Sequence, residues 1–170
     1  MKKDGYILKL AESRHIGSLS AIECQAARLF PANYLPASLL DETVPQEDLD
    51  YAQKNGLLWV ALKNDDPVGY ALIQIRGVLP LLAQIDVHPD HGRQSLGRAL
   101  IEKASSALRE KNFSELYLTT FASIPWNAPF YEKLGFQYLE QGSQPEFIKN
   151  ILRSEARLGL KERVSMCLYL

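Results

Sequence analysis

A predicted strand and a predicted helix are joined by the residues Val87-His88-Pro89-Asp90-His91-Gly92-Arg93-Gln94-Ser95-Leu96-Gly97-Arg98-Ala99. The strand covers residues 81–87 and the helix about 95–110, where apolar residues recur every fourth position at Leu96, Leu100, Ala104 and Leu108. The first N–H groups of a helix have no partner within it and carry partial positive charge. This junction therefore suits a phosphate or pyrophosphate group.

The residues of the junction favour the same chemistry. Gly92 and Gly97 allow the backbone to approach a ligand closely, and Arg93 and Arg98 place cations at the rim. The loop is not a P-loop, because the Gly-Lys-Ser/Thr ending is missing, and it lacks the GxGxxG pattern of a dinucleotide fold. On this loop alone a second interpretation stays open, in which the two glycines only shape the connection.

The rest of the chain predicts an α/β fold with one mixed sheet. A helix is expected to begin with Ser13 as its cap and to carry Ile16, Leu19, Ile22, Ala26 and Leu29 on one face. Further helices are predicted at residues 46–55, 125–134 and 145–159. The seven predicted strands cover residues 6–11, 57–63, 68–75, 81–87, 115–121, 136–140 and 163–170. A helix separates the fourth strand from the fifth, so these two should be parallel.

Length, charge and composition limit the possible classes of protein. The chain has 170 residues with 46% hydrophobic residues and a net charge of -1. We expect a single domain over residues 1–170 and no bulk affinity for nucleic acid, which needs a basic excess. No stretch approaches the length of a membrane span or a signal peptide. Because Cys24 and Cys167 form no metal or disulfide motif, we expect a cytoplasmic protein without a metal.

A second motif follows the predicted strand 115–121. It reads Phe130-Tyr131-Glu132-Lys133-Leu134-Gly135-Phe136. Together with the junction loop, it resembles the GNAT-type N-acetyltransferase superfamily, which carries an [Arg/Gln]-x-x-Gly-x-[Gly/Ala] loop after the fourth strand. That superfamily also carries Phe-Tyr-x-x-x-Gly-Phe after the fifth strand. The resemblance is strong over residues 57–140, and the order of elements extends it to the whole chain.

The resemblance implies a fold and a set of cofactor contacts. It implies a mixed, mostly antiparallel central sheet of about seven strands, with helices on both faces and acetyl-CoA or coenzyme A as co-substrate. The pantetheine arm would pair with the strand edge, and the loop backbone would hold the pyrophosphate. The implied cofactor-binding residues are Ile85, Asp86, Val87, Gly92, Arg93, Gln94, Ser95, Leu96, Gly97, Arg98, Asn127 and Tyr131. Tyr131 would also be the general acid that protonates the leaving thiolate.

The loop departs from the superfamily pattern at two positions. In the register set by the preceding strand, Gly92 stands where Arg or Gln is expected, and Ser95 stands where the first Gly is expected. A shifted register, Gln94-x-x-Gly97-x-Ala99, satisfies the pattern literally. Ser95 restricts the backbone relative to glycine, although its hydroxyl could donate to a phosphate.

The general base is open, because Ala83-Gln84 occupies the strand positions where many relatives carry a glutamate. Glu23 is our first candidate, since the first helix lies near the acceptor site in this fold. Asp86 and His88 are the alternatives. Each has a simpler interpretation. Glu23 could be a solvated surface glutamate, Asp86 a strand residue facing solvent, and His88 a loop residue before Pro89. The acidic residues 41–50 could attract a cationic amine or could form a solvated loop.

The leading functional hypothesis is an acyl-CoA-dependent N-acyltransferase that transfers acetyl to a primary amine of a small molecule or peptide. The alternative is a non-catalytic acyl-CoA-binding or sensing module. A nucleotide-phosphate-binding domain is disfavoured, because no Mg²⁺-ligand motif accompanies the loop. The last strand, residues 164–170, is a candidate sheet edge for pairing two chains as a homodimer.

Overall fold

A computed structural model describes the backbone of Lys2 and Lys3 and all atoms of residues 5–170. In this part of the chain the strands are β1 (Lys2–Lys3), β2 (Tyr6–Leu10), β3 (Leu58–Lys63), β4 (Asp66–Arg76), β5 (Leu79–Val87), β6 (Glu115–Phe121), β7 (Gln137–Tyr138) and β8 (Arg163–Tyr169). The α-helices are α1 (Ser13–Ile16), α2 (Leu19–Ala27), α3 (Gln46–Lys54), α4 (Leu96–Glu110), α5 (Ala128–Glu132) and α6 (Glu146–Arg157).

The strands form one sheet in the order β1-β2-β3-β4-β5-β6-β8-β7. Neighbouring strands are antiparallel except β5 and β6, which are parallel. The predicted mixed, mostly antiparallel α/β sheet is confirmed, and the two-residue β1 is an addition to the seven predicted strands. The last strand is not an edge as predicted, because β8 pairs with β6 on one side and with β7 on the other.

The β3–β4 hairpin sets the register of the sheet's centre. Asn64 and Asp65 both have positive φ, 50° and 69°, and Lys63 pairs directly with Asp66. Two residues in this conformation form the tight turn that matches the right-handed twist of the strands. The strands predicted at residues 57–63 and 68–75 therefore form a hairpin with a two-residue turn.

The predicted first helix is wrong in its extent and its cap. It is divided into α1 and α2 at Gly17 and Ser18, and Leu29 lies beyond its end with 51% of its surface exposed. The Ser18 hydroxyl donates to the carbonyl of His15 at 2.9 Å, a local bond that competes with helix continuation. Ser13 does not cap; its neighbour Glu12 does, and the Glu12 N–H donates to His15 Nδ1 at 3.0 Å.

The predicted helix at residues 125–134 is shorter than expected. It spans Ala128–Glu132, and the proline of its first turn is Pro129, not Pro125. The α4 prediction is confirmed: Leu96, Leu100, Ala104 and Leu108 are all buried in the main core. Because this buried stripe fixes α4 against the sheet, the N-terminus of α4 is held at the end of β5. No helix in residues 5–170 has the length and apolar character to cross a membrane.

Candidate functional site

The sheet opens between β5 and β6. In the described chain these strands share one register pair, Leu81 with Tyr117. Beyond it β5 stays paired to β4 as far as Val87, whereas β6 stays paired to β8 as far as Phe121. The two strands therefore diverge beyond this pair. The β6-facing edge of β5 therefore offers backbone hydrogen-bonding groups to a ligand beyond the fork.

Three cavities surround this fork. The central cleft has a volume of about 230 Å³ and is lined by Ala26, Leu29, Phe30, Ile85, Asp86, Val87, Gly92, Gly97, Trp126, Asn127, Phe130 and Tyr131. The loop cavity, about 410 Å³, lies over the start of α4, where Arg93, Ser95, Leu96, Gly97 and Arg98 contribute to its walls. The distal cavity, about 460 Å³, extends from Asp86 and Tyr131 to Asp48, Arg76, Glu155 and Arg163.

The loop cavity has the features of an anion site. Leu96, Gly97 and Arg98 form the first turn of α4, so their N–H groups have no earlier helical carbonyl to bond. Arg93 and Ser95 adopt left-handed backbone conformations, with φ of 59° and 56°. Ser95 is the cap residue of α4, yet its side chain makes no capping hydrogen bond. Its hydroxyl is thus available to a ligand.

The loop is anchored to β2, three strands away from β5 in the sheet, by a bond that no local sequence pattern predicted. The Tyr6 hydroxyl and His91 Nδ1 lie 2.9 Å apart, and their rings meet edge to face. His91 also closes the short 3-10 turn Pro89–His91, within which His88 Nδ1 accepts from the Asp90 N–H. No local sequence signal links Tyr6 to His91, since they are separated by 85 positions.

Asn127 places a free polar atom in the central cleft. Its backbone carbonyl accepts from the N–H groups of Phe130 and Tyr131, at 2.8 and 3.0 Å, which starts α5. Its side-chain Oδ1 is buried and has no hydrogen-bond partner among the residues that the structure describes. A buried amide oxygen without a partner is costly, so a ligand that donates a hydrogen bond would stabilise this site.

Tyr131 lies between the central cleft and the distal cavity. Its ring is 7% exposed and is held edge-on by Phe130 and Phe136, with centroid distances of 5.4 and 5.6 Å. Its hydroxyl makes no hydrogen bond to residues 5–170, and the residue lines both cavities. Burial, followed by the negative charge of Asp86, raises the pKa of Tyr131, so the phenol stays protonated at neutral pH.

The three candidate bases have different surroundings. Glu23 is buried, so the solvated-surface interpretation is wrong, and its Oε2 accepts from the Val44 N–H and the Tyr70 hydroxyl, each at 3.0 Å. It lines neither the central cleft nor the distal cavity. His88 lines neither cavity either, and it serves the 3-10 turn. Asp86 lines both.

The carboxyl of Asp86 is enclosed, although the residue as a whole is half-buried. Asp86 lies opposite Tyr70 in the β4–β5 register, and the Gln84 amide donates to its Oδ2 at 2.7 Å. Burial raises the pKa of Asp86 to about 7, against the opposing Gln84 hydrogen bond, and the charge of Glu23 raises it further. Asp86 therefore faces the cleft rather than bulk solvent.

The acidic segment contributes one side chain to the distal cavity. Asp48 lines it and accepts a hydrogen bond from Gln74 at 3.3 Å, whereas Asp41, Glu42 and Glu47 are exposed. On the opposite wall Arg163 forms a two-point ion pair with Glu155, at 2.7 and 3.0 Å. The charges of this pair compensate one another, so the remaining charged residues of the cavity wall are two carboxylates, Asp48 and Asp86, and one cation, Arg76.

Comparison with known proteins identifies the class. The chain belongs to the acetyltransferase (GNAT) family, whose model matches residues 23–136. It is 32% identical over 95 residues to the ribosomal protein bS18-alanine N-acetyltransferase of Escherichia coli K12, covering 54% of this chain and 64% of that protein. It is 30% identical over 76 residues to the amino-acid acetyltransferase of Enterobacter sp. strain 638, covering 45% of this chain and 16% of that protein. The chain thus spans less than two thirds of either relative.

Solved structures share the fold at low sequence identity. The PaiA N-acetyltransferase of Thermoplasma acidophilum, in complex with coenzyme A, superposes with a TM-score of 0.75 at 15% identity, covering 97% of this chain and 99% of that one. The N-acetylglutamate synthase of Neisseria gonorrhoeae superposes with a TM-score of 0.72 at 16% identity, covering 99% of this chain and 36% of that one.

The left-handed backbone at Ser95 predicts a stabilising substitution. This conformation costs a non-glycine residue about 1–2 kcal/mol, and glycine's greater freedom in the unfolded chain offsets part of that. Ser95→Gly should therefore raise the free energy of unfolding by about 0.5–1 kcal/mol in urea denaturation. Gln94→Gly is the matched control, because Gln94 is outside the left-handed region, and it should destabilise instead. A lower free energy of unfolding for Ser95→Gly than for the wild-type chain would contradict the claim that the backbone at Ser95 is strained.

Proposed function

We propose that this chain is an acetyl-CoA-dependent N-acetyltransferase and that residues 1–170 form one catalytic domain. The observation that carries the proposal is the fork between β5 and β6, which leads from the α4 N-terminus to a buried tyrosine in a GNAT-family chain. The superfamily resemblance and the coenzyme A named with the PaiA structure support the choice of co-substrate.

The residues of the fork fit the parts of coenzyme A. The free backbone edge at Ile85, Asp86 and Val87 suits the amide-containing pantetheine arm, and the partnerless Asn127 Oδ1 can accept from one of its N–H groups. The N–H groups from Arg93 to Arg98, with the two arginines, suit the pyrophosphate. When bound, acetyl-CoA supplies an acyl group activated as a thioester.

We propose that the acceptor is a primary amine of a small molecule or peptide that enters through the distal cavity. The bS18-alanine and amino-acid acetyltransferase relatives support an amine acceptor. Two carboxylates of the distal cavity wall, Asp48 and Asp86, face one uncompensated cation, Arg76, and this excess would favour the cationic form of the amine. Cytoplasmic location and a homodimer remain predictions from the sequence.

Tyr131 is proposed as the general acid. Its raised pKa keeps the phenol protonated, and the residue lines both the central cleft and the distal cavity. A carboxylate on the same side would take the amine proton, with Glu23 and Asp86 as the two candidates. Most of the acceleration would come from positioning the two substrates.

Gly97 tests the cofactor site. A Cβ at this position would lie 3.6 Å from Phe130 Cζ, an ordinary contact, so Gly97→Ala should fold and bind coenzyme A. Gly97→Trp should abolish binding, because an indole would fill the space over the first turn of α4. Isothermal titration of both variants with coenzyme A measures the difference. Wild-type affinity in Gly97→Trp would refute the placement of the pyrophosphate.

Tyr131 tests the chemistry. Tyr131→Phe keeps the ring and its packing but removes the hydroxyl, so kcat should fall by about 10²–10⁴-fold, or somewhat less if thiolate protonation limits the rate only in part. Release of coenzyme A is measured with a panel of amines, while coenzyme A affinity should stay unchanged. Tyr138→Phe, an exposed tyrosine outside the cavities, is the control.

A kcat within about twofold of wild type would refute the acid role of Tyr131. If the wild-type chain binds coenzyme A but releases none with any amine, the enzyme proposal itself fails in favour of a binding module.

A further inference from the structure

We propose that Asp86 is the catalytic base for the acceptor amine and that Glu23 is a positioning residue behind it. This inference rests on the proposed acetyltransferase function, and it reverses the order of the two candidates that the sequence favours.

The first reason is access. Five residues line both the central cleft and the distal cavity, and Asp86 is the one carboxylate among them: Phe30, Ile85, Asp86, Asn127 and Tyr131. An amine that reaches the thioester from the distal cavity must pass this junction. Glu23 lines neither cavity, so its carboxylate has no direct route to the amine.

The second reason is orientation. Gln84 Nε2 donates to Asp86 Oδ2 at 2.7 Å, while Oδ1 has no hydrogen bond to a described residue. The amide of Gln84 cannot act as a base at neutral pH, but it fixes the carboxylate with one oxygen engaged and the other free. A base needs this arrangement to receive a proton at a defined position.

The third reason is the role that Glu23 already has. One of its carboxylate oxygens accepts from both the Val44 N–H and the Tyr70 hydroxyl. Val44 lines the distal cavity, so Glu23 ties the wall of that cavity to α2. Tyr70 lies opposite Asp86 in the sheet, so Glu23 and Asp86 act on the same buried phenol from two elements.

The surrounding charges tune Asp86 for a proton transfer near neutral pH. The groups that face it are Glu23 on α2, Tyr70 on β4, Gln84 on its own strand and Tyr131 on α5, with Arg163 on β8 acting on Tyr131. The pKa of Asp86, raised to about 7 by burial and by Glu23, brings its basicity closer to that of an amine. Because Glu23 is one of the charges that raise this pKa, neutralising Glu23 should lower it.

The proposed step balances as follows. The ammonium form of the acceptor first loses one proton to solvent. The neutral amine then attacks the thioester carbonyl carbon, a second N–H proton passes to Asp86 Oδ1, and the C–N bond forms. The C–S bond breaks, and the leaving sulfur takes the proton of the Tyr131 hydroxyl. Asp86 then holds one extra proton and Tyr131 lacks one, so transfer between them, directly or through solvent, restores both groups.

The test uses Asp86→Asn and Glu23→Gln in the full chain. Asp86→Asn should lower kcat/KM by about 10²–10⁴-fold without changing the affinity for coenzyme A, and it should abolish the acidic limb of the pH–rate profile. Glu23→Gln should lower the plateau by less than about tenfold and move the midpoint of that limb to lower pH. Loss of the acidic limb identifies the base, because substitution of a merely structural residue would leave that limb in place.

A measurement independent of turnover separates this inference from the proposed function. The side-chain carboxyl ¹³C signal of Asp86, assigned with Asp86→Asn, should titrate near pH 7 in the wild-type chain and at lower pH in Glu23→Gln. If Glu23→Gln unfolds, Tyr70→Phe takes its place, because it removes the hydrogen bond from the Tyr70 hydroxyl to Glu23. This variant should still move the titration midpoint of Asp86. If neither variant changes the titration midpoint of Asp86, the proposed coupling between Glu23 and Asp86 is overturned.

Two kinetic outcomes overturn the base assignment. One is loss of activity in Glu23→Gln with retention in Asp86→Asn, which would make Glu23 the base. The other is an unchanged pH–rate profile in both variants, which would mean that no enzymic base is needed. Absence of turnover by the wild-type chain would refute the proposed acetyltransferase activity and, with it, the role of Asp86 as a base, whatever the carboxyl titration shows.

Discussion

The site depends on one constraint, which is that β5 cannot stay paired with β6 beyond Leu81 and Tyr117. Each strand keeps its other neighbour: β5 follows β4 to Val87, and β6 follows β8 to Phe121. The sheet therefore opens as a wedge that leaves backbone groups of β5 without strand partners. The α4 N-terminus and α5 meet at the mouth of the wedge, where Gly97 and Phe130 line the same two cavities, and Tyr131 also lines the distal cavity beyond it. A long ligand that is anionic at one end and reactive at the other fits this geometry.

Around the wedge, burial changes the behaviour of the ionisable groups. Two carboxylates, Glu23 and Asp86, lie on either side of the Tyr70 phenol, and burial raises the pKa of both. Burial is the main reason why Asp86 is more basic than a solvated aspartate, and the charge of Glu23 adds to it. For stability the sign is the reverse of the usual carboxylate case. Asp86 binds its proton more tightly when folded, so its contribution falls as pH rises from about 4 towards 7.

Local patterns predicted the strands, the α4 helix and the parallel crossover, because alternation, turn residues and helical spacing are properties of short segments. They failed where a single side-chain bond decided the outcome, as Ser18 did at the break between α1 and α2. They also could not reveal contacts between distant segments, such as Tyr6 with His91. The candidate site residues were assembled from motifs, but the choice between Glu23 and Asp86 needed the cavity walls that only the folded chain defines.

Amide hydrogen exchange with and without coenzyme A tests the central claim, that the β5–β6 fork binds the cofactor along its length. The fork-facing amides of β5 within residues 83–87 and the loop amides at 93–98 have no partners in the fork, so they should exchange fast in the free chain. Added coenzyme A should slow exchange in both segments together. Protection confined to other strands, or no change in either segment at saturating coenzyme A, would contradict the account.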